Sequence, residues 1–214
     1  MKFSIEELRP TRNGMTISRD SKLGNSTKVT YFSMGKDTSI SQESYDRMTM
    51  YIGASGWGEF IIGEEPEIIK LQPDELLIVP AGTLCGMQTS NGIVYTEIIC
   101  TGKDINMNAN VKTNEVFALK NLISYEEGSI ANMDVVSTPD MKYVLMAFDE
   151  GTGLTPHRAP GNAIVFALEG KATIGYEGKD YELSEGECFR FEKNGLHSVT
   201  ANGRFKMALL LVLA

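Results

Sequence analysis

Apolar and polar residues alternate with a period of two through much of the chain. Ala172, Ile174 and Tyr176 interleave with Lys171 and Thr173, and Tyr181 and Leu183 alternate with Asp180 and Glu182. Successive side chains of a strand point to opposite faces, so this pattern predicts half-buried strands with Gly178-Lys179 as the turn between them. Asn91-Gly92 and Asn202-Gly203 carry the strongest hairpin signals, because a type I′ turn needs positive φ at both central residues. The runs that follow, Ile93 to Cys100 and Phe205 to Leu213, are largely apolar, as expected of strands covered on both faces. Helical periodicity is thin. Ile5 to Leu8 and Val116 to Ile123 predict only short turns.

The pattern repeats. A shift of 114 aligns Ile5-Glu6-Glu7-Leu8 with Leu119-Lys120-Asn121-Leu122, Gly14 with Gly128, Thr38 with Thr152 and Gly56 with Gly170. The offset then becomes 112, aligning Leu71 with Leu183, Glu75 with Glu187 and Leu84 with Leu196, and finally 111, superposing Asn91-Gly92 on Asn202-Gly203. Insertions confined to turns are what a duplicated domain tolerates. The predicted units span 1–103 and 115–214, joined by the polar stretch from Lys103 to Asn110. Many short antiparallel strands at this spacing predict a closed or double-sheet roll, which hides its edges. The single Trp57 and the 11 Met are expected to fill cores and interfaces.

At 214 residues the chain can form two small domains, and cores of that size need no disulfide framework or structural metal. Cys85, Cys100 and Cys188, an odd count with no CxxC pair, fit a reduced compartment and exclude a zinc finger. A net charge of -8 argues against nucleic acid and anionic lipid as partners. The first seven residues end in Glu6-Glu7 with no apolar segment, and the apolar run from Met207 to Ala214 is too short to span a bilayer. A cytoplasmic protein is expected. The Asn25-Ser26-Thr27 sequon is then read as unused, and Gly53-Ala54-Ser55-Gly56-Trp57 lacks the last glycine of a nucleophile elbow.

The second half resembles the cupin superfamily, whose motifs are G-x5-H-x-H-x3-4-E-x6-G and G-x5-P-x-G-x2-H-x3-N. Gly151 leads to His157 in the first histidine slot, Ala159 in the second, Ala163 in the glutamate slot and Gly170 at the close. Gly186 leads to Glu192, then Asn194 in the glycine slot, then His197 and Ala201. The first half fits the same frames. Asp37 leads to Glu43, Tyr45 and Thr49 in the three ligand slots, closed by Gly56; Asp74 leads to Pro80-Ala81-Gly82 and to Cys85 in the last histidine slot. The resemblance covers nearly the whole chain and implies an all-β protein of two tandem cupin-type double-stranded β-helix (jelly-roll) barrels, a bicupin. By analogy, barrels of this kind pair through their sheets, so a homodimer is also expected.

In metal-binding cupins three His and one Glu point into the barrel, and of those slots only His157 and His197 keep a ligand here. They are the only 2 His of the chain. Three readings stay open. The pair holds a weak divalent metal (Zn, Ni, Mn or Fe) completed by water or ligand, as an oxygenase or sugar isomerase would. It anchors a small molecule without metal, since a neutral imidazole both donates and accepts hydrogen bonds, and the same geometry admits acid–base chemistry near pH 6.5. Or both rings are satisfied internally, in a structural or interaction module whose cavity is filled. Phe166, Tyr176, Phe189 and Phe191 are candidate ligand-contacting residues of that barrel, and alternation directs Arg158 away from it. The N-terminal barrel is expected to be structural; its set Glu43, Tyr45, Thr49 and Cys85 can form a second polar pocket, but the mixed hard and soft donors suit no metal well, and Cys85 has no base assigned to it.

Overall fold

The computed structural model describes residues 1–24, 27–101 and 104–213. Asn25 and Ser26 of the sequon, Lys103 of the predicted connector, and Ala214 lie outside the described residues. The architecture is all-β, of the jelly-roll kind, and its strands fall into two compact units. Among the described residues no helix is long and apolar enough to cross a membrane.

The units are not contiguous in sequence. One comprises Ile5–Thr101 with Ala109–Ala118; the other comprises Met1–Ser4, Gly102–Asn108 and Leu119–Ala214. The strand Val116–Ala118 pairs with Glu75–Val79 of the first unit, so this segment continues as a strand where the sequence predicts a turn. Only the residues after it, Leu119–Asn121, form a 3-10 turn. Lys2–Phe3, at the start of the chain, pairs with Cys188–Phe191 of the second unit. Lys2 Nζ lies 2.8 Å from a Glu187 carboxylate oxygen and donates to the Glu182 carbonyl at 3.0 Å. The predicted connector also carries structure, since Asn106–Met107 pairs with Ile130–Thr138.

In the first unit a six-stranded sheet faces a four-stranded one. Met34, Tyr51, Leu77, Ile93 and Tyr95 from the larger sheet pack on Phe60, Ile62, Leu71 and Met87 from the smaller. In the second unit one nine-stranded sheet wraps round, because Asn162–Tyr176 and Leu196–Val212 run together through a corner. Its core holds Phe148, Phe189, Phe191, Phe205 and Met207. Trp57 is only half-buried, with Lys70 Nζ 4.1 Å over its ring, and Met1 and Met15 are exposed, so these three do not fill the cores as expected.

Neither Asn-Gly pair closes a hairpin. Leu84–Thr89 and Ile93–Ile99, on either side of Asn91-Gly92, lie in different sheets. At Asn202-Gly203 the strand Leu196–Val212 continues past the pair, both of its arms bonded to Asn162–Tyr176. The positive φ of Gly92 (95°) and Gly203 (87°) turns the chain round a barrel corner instead. The true tight hairpin joins Tyr176 to Lys179, with Glu177 (φ 49°) and Gly178 (φ 79°) as its central residues, one position before the expected turn.

The corners explain why the two halves align. Gly56 and Gly170, matched by the repeat, both have positive φ, and a Cβ built on either would lie 2.1 Å from a backbone oxygen, that of Gly92 or Arg204 respectively. The other motif slots share the conformation without sharing the residue. Asp37 (57°) stands where Gly151 (75°) does, Asp74 (59°) where Gly186 (80°) does, and Asn194 (62°) where Gly82 (76°) does. Short Asp and Asn side chains tolerate the left-handed region, so the frame survives loss of glycine.

Candidate functional site

His157 and His197 are a directly opposed cross-strand pair between Gly153–Arg158 and Leu196–Val212. Opposed residues share a face of the sheet. Val199 and Ala201, two and four residues beyond His197, point into the core of the second unit, so both imidazoles lie on the barrel-facing side. The ring centroids are 4.3 Å apart. His197 is buried and His157 is exposed, which places the pair at the end of the barrel.

Each ring is held by its own backbone. His157 Nδ1 is 2.8 Å from the Thr155 carbonyl oxygen and His197 Nδ1 is 2.9 Å from that of Gly195. A carbonyl has no proton to give, so each Nδ1 carries the hydrogen and each neutral ring keeps a lone pair on Nε2. Burial lowers the His197 pKa from its ordinary value; the bond to Gly195 opposes this and repulsion from a charged His157 adds to it.

Aromatic residues back the pair. The Phe191 ring lies 4.3 Å from His197, and Tyr176 lies 5.5 Å from Phe191 and 5.6 Å from Phe189. Phe166 is not part of this group. It occupies the other face of its strand from Val165 and Ala167 and contacts Tyr143 at 6.5 Å. Three of the four expected aromatic side chains, Tyr176, Phe189 and Phe191, therefore converge with the two histidines or their supports, but Phe189 and Phe191 do so as buried core. Behind the pair the barrel interior carries the side chains of the second unit's hydrophobic core. The free volume lies beside it, in an open cleft of about 190 Å³ lined by Pro156, Tyr176, Glu177, Leu196 and His197 among others.

Arg158 points away as alternation requires. Its guanidinium donates to the Asn194 carbonyl and lies 3.6 Å from Glu177. The slots for a third and fourth metal ligand hold Ala159 and Ala163, the latter buried in the core. Among the described residues no group of three His, Cys, Asp or Glu side chains is placed to hold a metal. A resident metal normally has three or four protein ligands, so this donor set does not fit one.

In the first unit Glu43, Tyr45 and Cys85 come together around a cavity of about 70 Å³, and Thr49 does not line it. The Thr49 hydroxyl instead donates to the Arg47 carbonyl at 3.4 Å. Burial pushes the Cys85 thiol up to about 11, partly offset by a hydrogen bond with Tyr51, which makes it a poor nucleophile at neutral pH. The cavity also contains Glu97, only 5 % exposed, which sequence reasoning missed. The available signal was one acidic residue inside an otherwise apolar strand.

Residues 144–213 match the sequence profile of the Cupin domain family, Cupin_2. No curated protein matches the sequence. Among solved structures, the chain is similar to a Cupin 2 conserved barrel domain protein from Leptotrichia buccalis, with 24% identity, a TM-score of 0.87, and coverage of 99% of this chain and 96% of that one. It is also similar to salicylate 1,2-dioxygenase from Pseudaminobacter salicylatoxidans at 11% identity and a TM-score of 0.65, covering 87% of this chain and 71% of the other. The structure of that enzyme with gentisate gives 11% identity and a TM-score of 0.67, covering 96% and 76%. At these identities the likeness is one of fold.

Proposed function

We propose that this bicupin-like chain is a small-molecule-binding protein whose second barrel takes its ligand at the His157–His197 pair, without a resident metal. The observation that carries this reading is the contact of each Nδ1 with a backbone carbonyl oxygen, which assigns the proton to Nδ1 and leaves an Nε2 acceptor on each of two rings whose centroids are 4.3 Å apart, with His197 lining an open cleft. Two neighbouring acceptors suit a ligand with two O–H or N–H donors, and the Tyr176 and Leu196 surfaces suit an apolar or aromatic body. Oxygenase chemistry of the kind named for the structural neighbour is not proposed, because two imidazoles with Ala159 and Ala163 at the remaining slots do not make a metal centre.

Catechol is a simple probe with two adjacent hydroxyls. Titrated into chelator-treated protein at pH 7.5, it should shift the imidazole resonances saturably, and His197→Ala should abolish the response. Binding that appears only after a divalent metal is added would replace this reading with the metal-site one, and no binding in either state would refute both.

A further inference from the structure

The first unit carries a second candidate site of different chemistry. Glu97, on Ile93–Ile99, lies directly across from Tyr51 on one neighbouring strand and Thr30 on the other. All three therefore share the interior face. Among the described residues the Glu97 carboxylate makes no hydrogen bond and no ion pair, Lys28 acting on it only at longer range, and the buried Thr30 hydroxyl beside it has no partner. Leaving a carboxylate unpaired in such a place costs several kcal/mol, so the group must take up either a proton or a counter-cation.

The wall around it is aromatic. Phe32 stacks on Tyr95 with centroids 5.0 Å apart, and Tyr51 lies 4.7 Å from Phe60 and 6.1 Å from Tyr95. Ring faces are negative and attract a cation, more strongly where water is excluded. Glu43 adds a second acidic group to the lining, and among the described residues no basic side chain lines the cavity. Because no three metal-ligating side chains converge among the described residues, a divalent ion is not the occupant this chemistry selects.

We propose that this cavity binds a small alkylammonium cation, with Glu97 as its counter-charge and Phe32, Tyr51 and Tyr95 as its wall. The volume of about 70 Å³ sets the size at a few heavy atoms. A proton competes for the same position. Burial raises the Glu97 carboxyl to about 7, with Lys28 the only group pulling it down. The other titratable neighbours Tyr45, Tyr51, Tyr95 and Cys85 are all raised above their ordinary values and stay neutral through this range.

The test uses methylammonium chloride, followed by the NMR shifts of the Tyr51, Tyr95 and Met87 side chains. Saturable binding is expected at pH 8, about tenfold weaker at pH 6 as Glu97 protonates. Methanol, of the same size but uncharged, should bind at least about tenfold more weakly than the cation at pH 8. Glu97→Gln should lose the cation, whereas His157→Ala, in the other unit, should retain it. The wild-type comparisons need no variant to fold. Equal binding of methanol, affinity unchanged between pH 6 and 8, retention of methylammonium by Glu97→Gln, or absence of any binding at pH 8 would each overturn the proposal.

Discussion

His157 and His197 face each other across two antiparallel strands with their ring centroids 4.3 Å apart, and each has committed Nδ1 to a carbonyl two residues back in its own chain. A charge on His157 disfavours one on His197 at that separation. His197 is expected to protonate below the ordinary imidazole value of about 6.5, chiefly because it is buried. Exchanging His157 for Asn should move the His197 midpoint upward by removing the repulsive part. NMR titration of the His197 ring resonances reads this midpoint, and an unshifted or raised His197 in the wild type would be the contrary result.

Glu97 makes stability depend on pH in a defined direction. Its folded pKa of about 7 exceeds the ordinary value of 4.5, so between these values the folded state holds more protons than the unfolded one. The contribution of the neutral carboxyl is present below pH 4.5 and is lost as pH rises through 7, about 3 kcal/mol at the limit. Urea denaturation of the first unit should show this decline between pH 5 and 8, and Glu97→Gln should flatten it. A wild-type curve that rises through this window after subtraction of the variant would be inconsistent with an unpaired buried carboxyl.

The corner glycines should tolerate substitution very unequally. At Gly170 a Cβ would lie 2.1 Å from the Arg204 carbonyl oxygen, whereas at Gly203 it would meet nothing within 4 Å. Gly203→Ala carries only the cost of positive φ, about 1 kcal/mol. Gly170→Ala adds a backbone collision and should cost more than about 3 kcal/mol. Equal denaturation midpoints for the two variants would contradict the corner geometry.

Removing residues 1–4 should weaken the second unit and spare the first. Lys2–Phe3 forms an edge strand on Cys188–Phe191, and the chain's first ammonium group donates to the Arg190 carbonyl. Hydrogen exchange at the amides of residues 188–191 is expected to accelerate, with Ile93–Ile99 unaffected. Acceleration confined to the first unit would show that the segment belongs there.

Much of this fold was legible because the frame is written in backbone requirements. The repeat and the motif spacing survive in Asp37, Asp74 and Asn194, which adopt the positive φ of the glycines they replace. The Asn-Gly pairs misled for the same reason: positive φ identifies a sharp change of direction without saying whether the strands on either side pair. Segment exchange was invisible, since Lys2–Phe3 and Val116–Ala118 are too short for their pattern to name a partner strand. The histidine pair was picked out by the motif slots of the resemblance, and the strand register sets the two residues opposite each other. Phe166 did not join it because a one-residue offset along a strand moves a side chain to the opposite face. Glu97 was hidden inside Ile93 to Cys100, where averaging over an apolar run conceals one buried charge.

The account of the second barrel depends on which ring nitrogen carries the proton. Long-range 1H–15N correlation spectra of 15N-labelled protein at pH 7.5 distinguish the two tautomers directly. Both His157 and His197 should show a protonated Nδ1 and an unprotonated Nε2. If either ring carries its proton on Nε2, the two acceptors do not lie side by side and the ligand site has lost its basis.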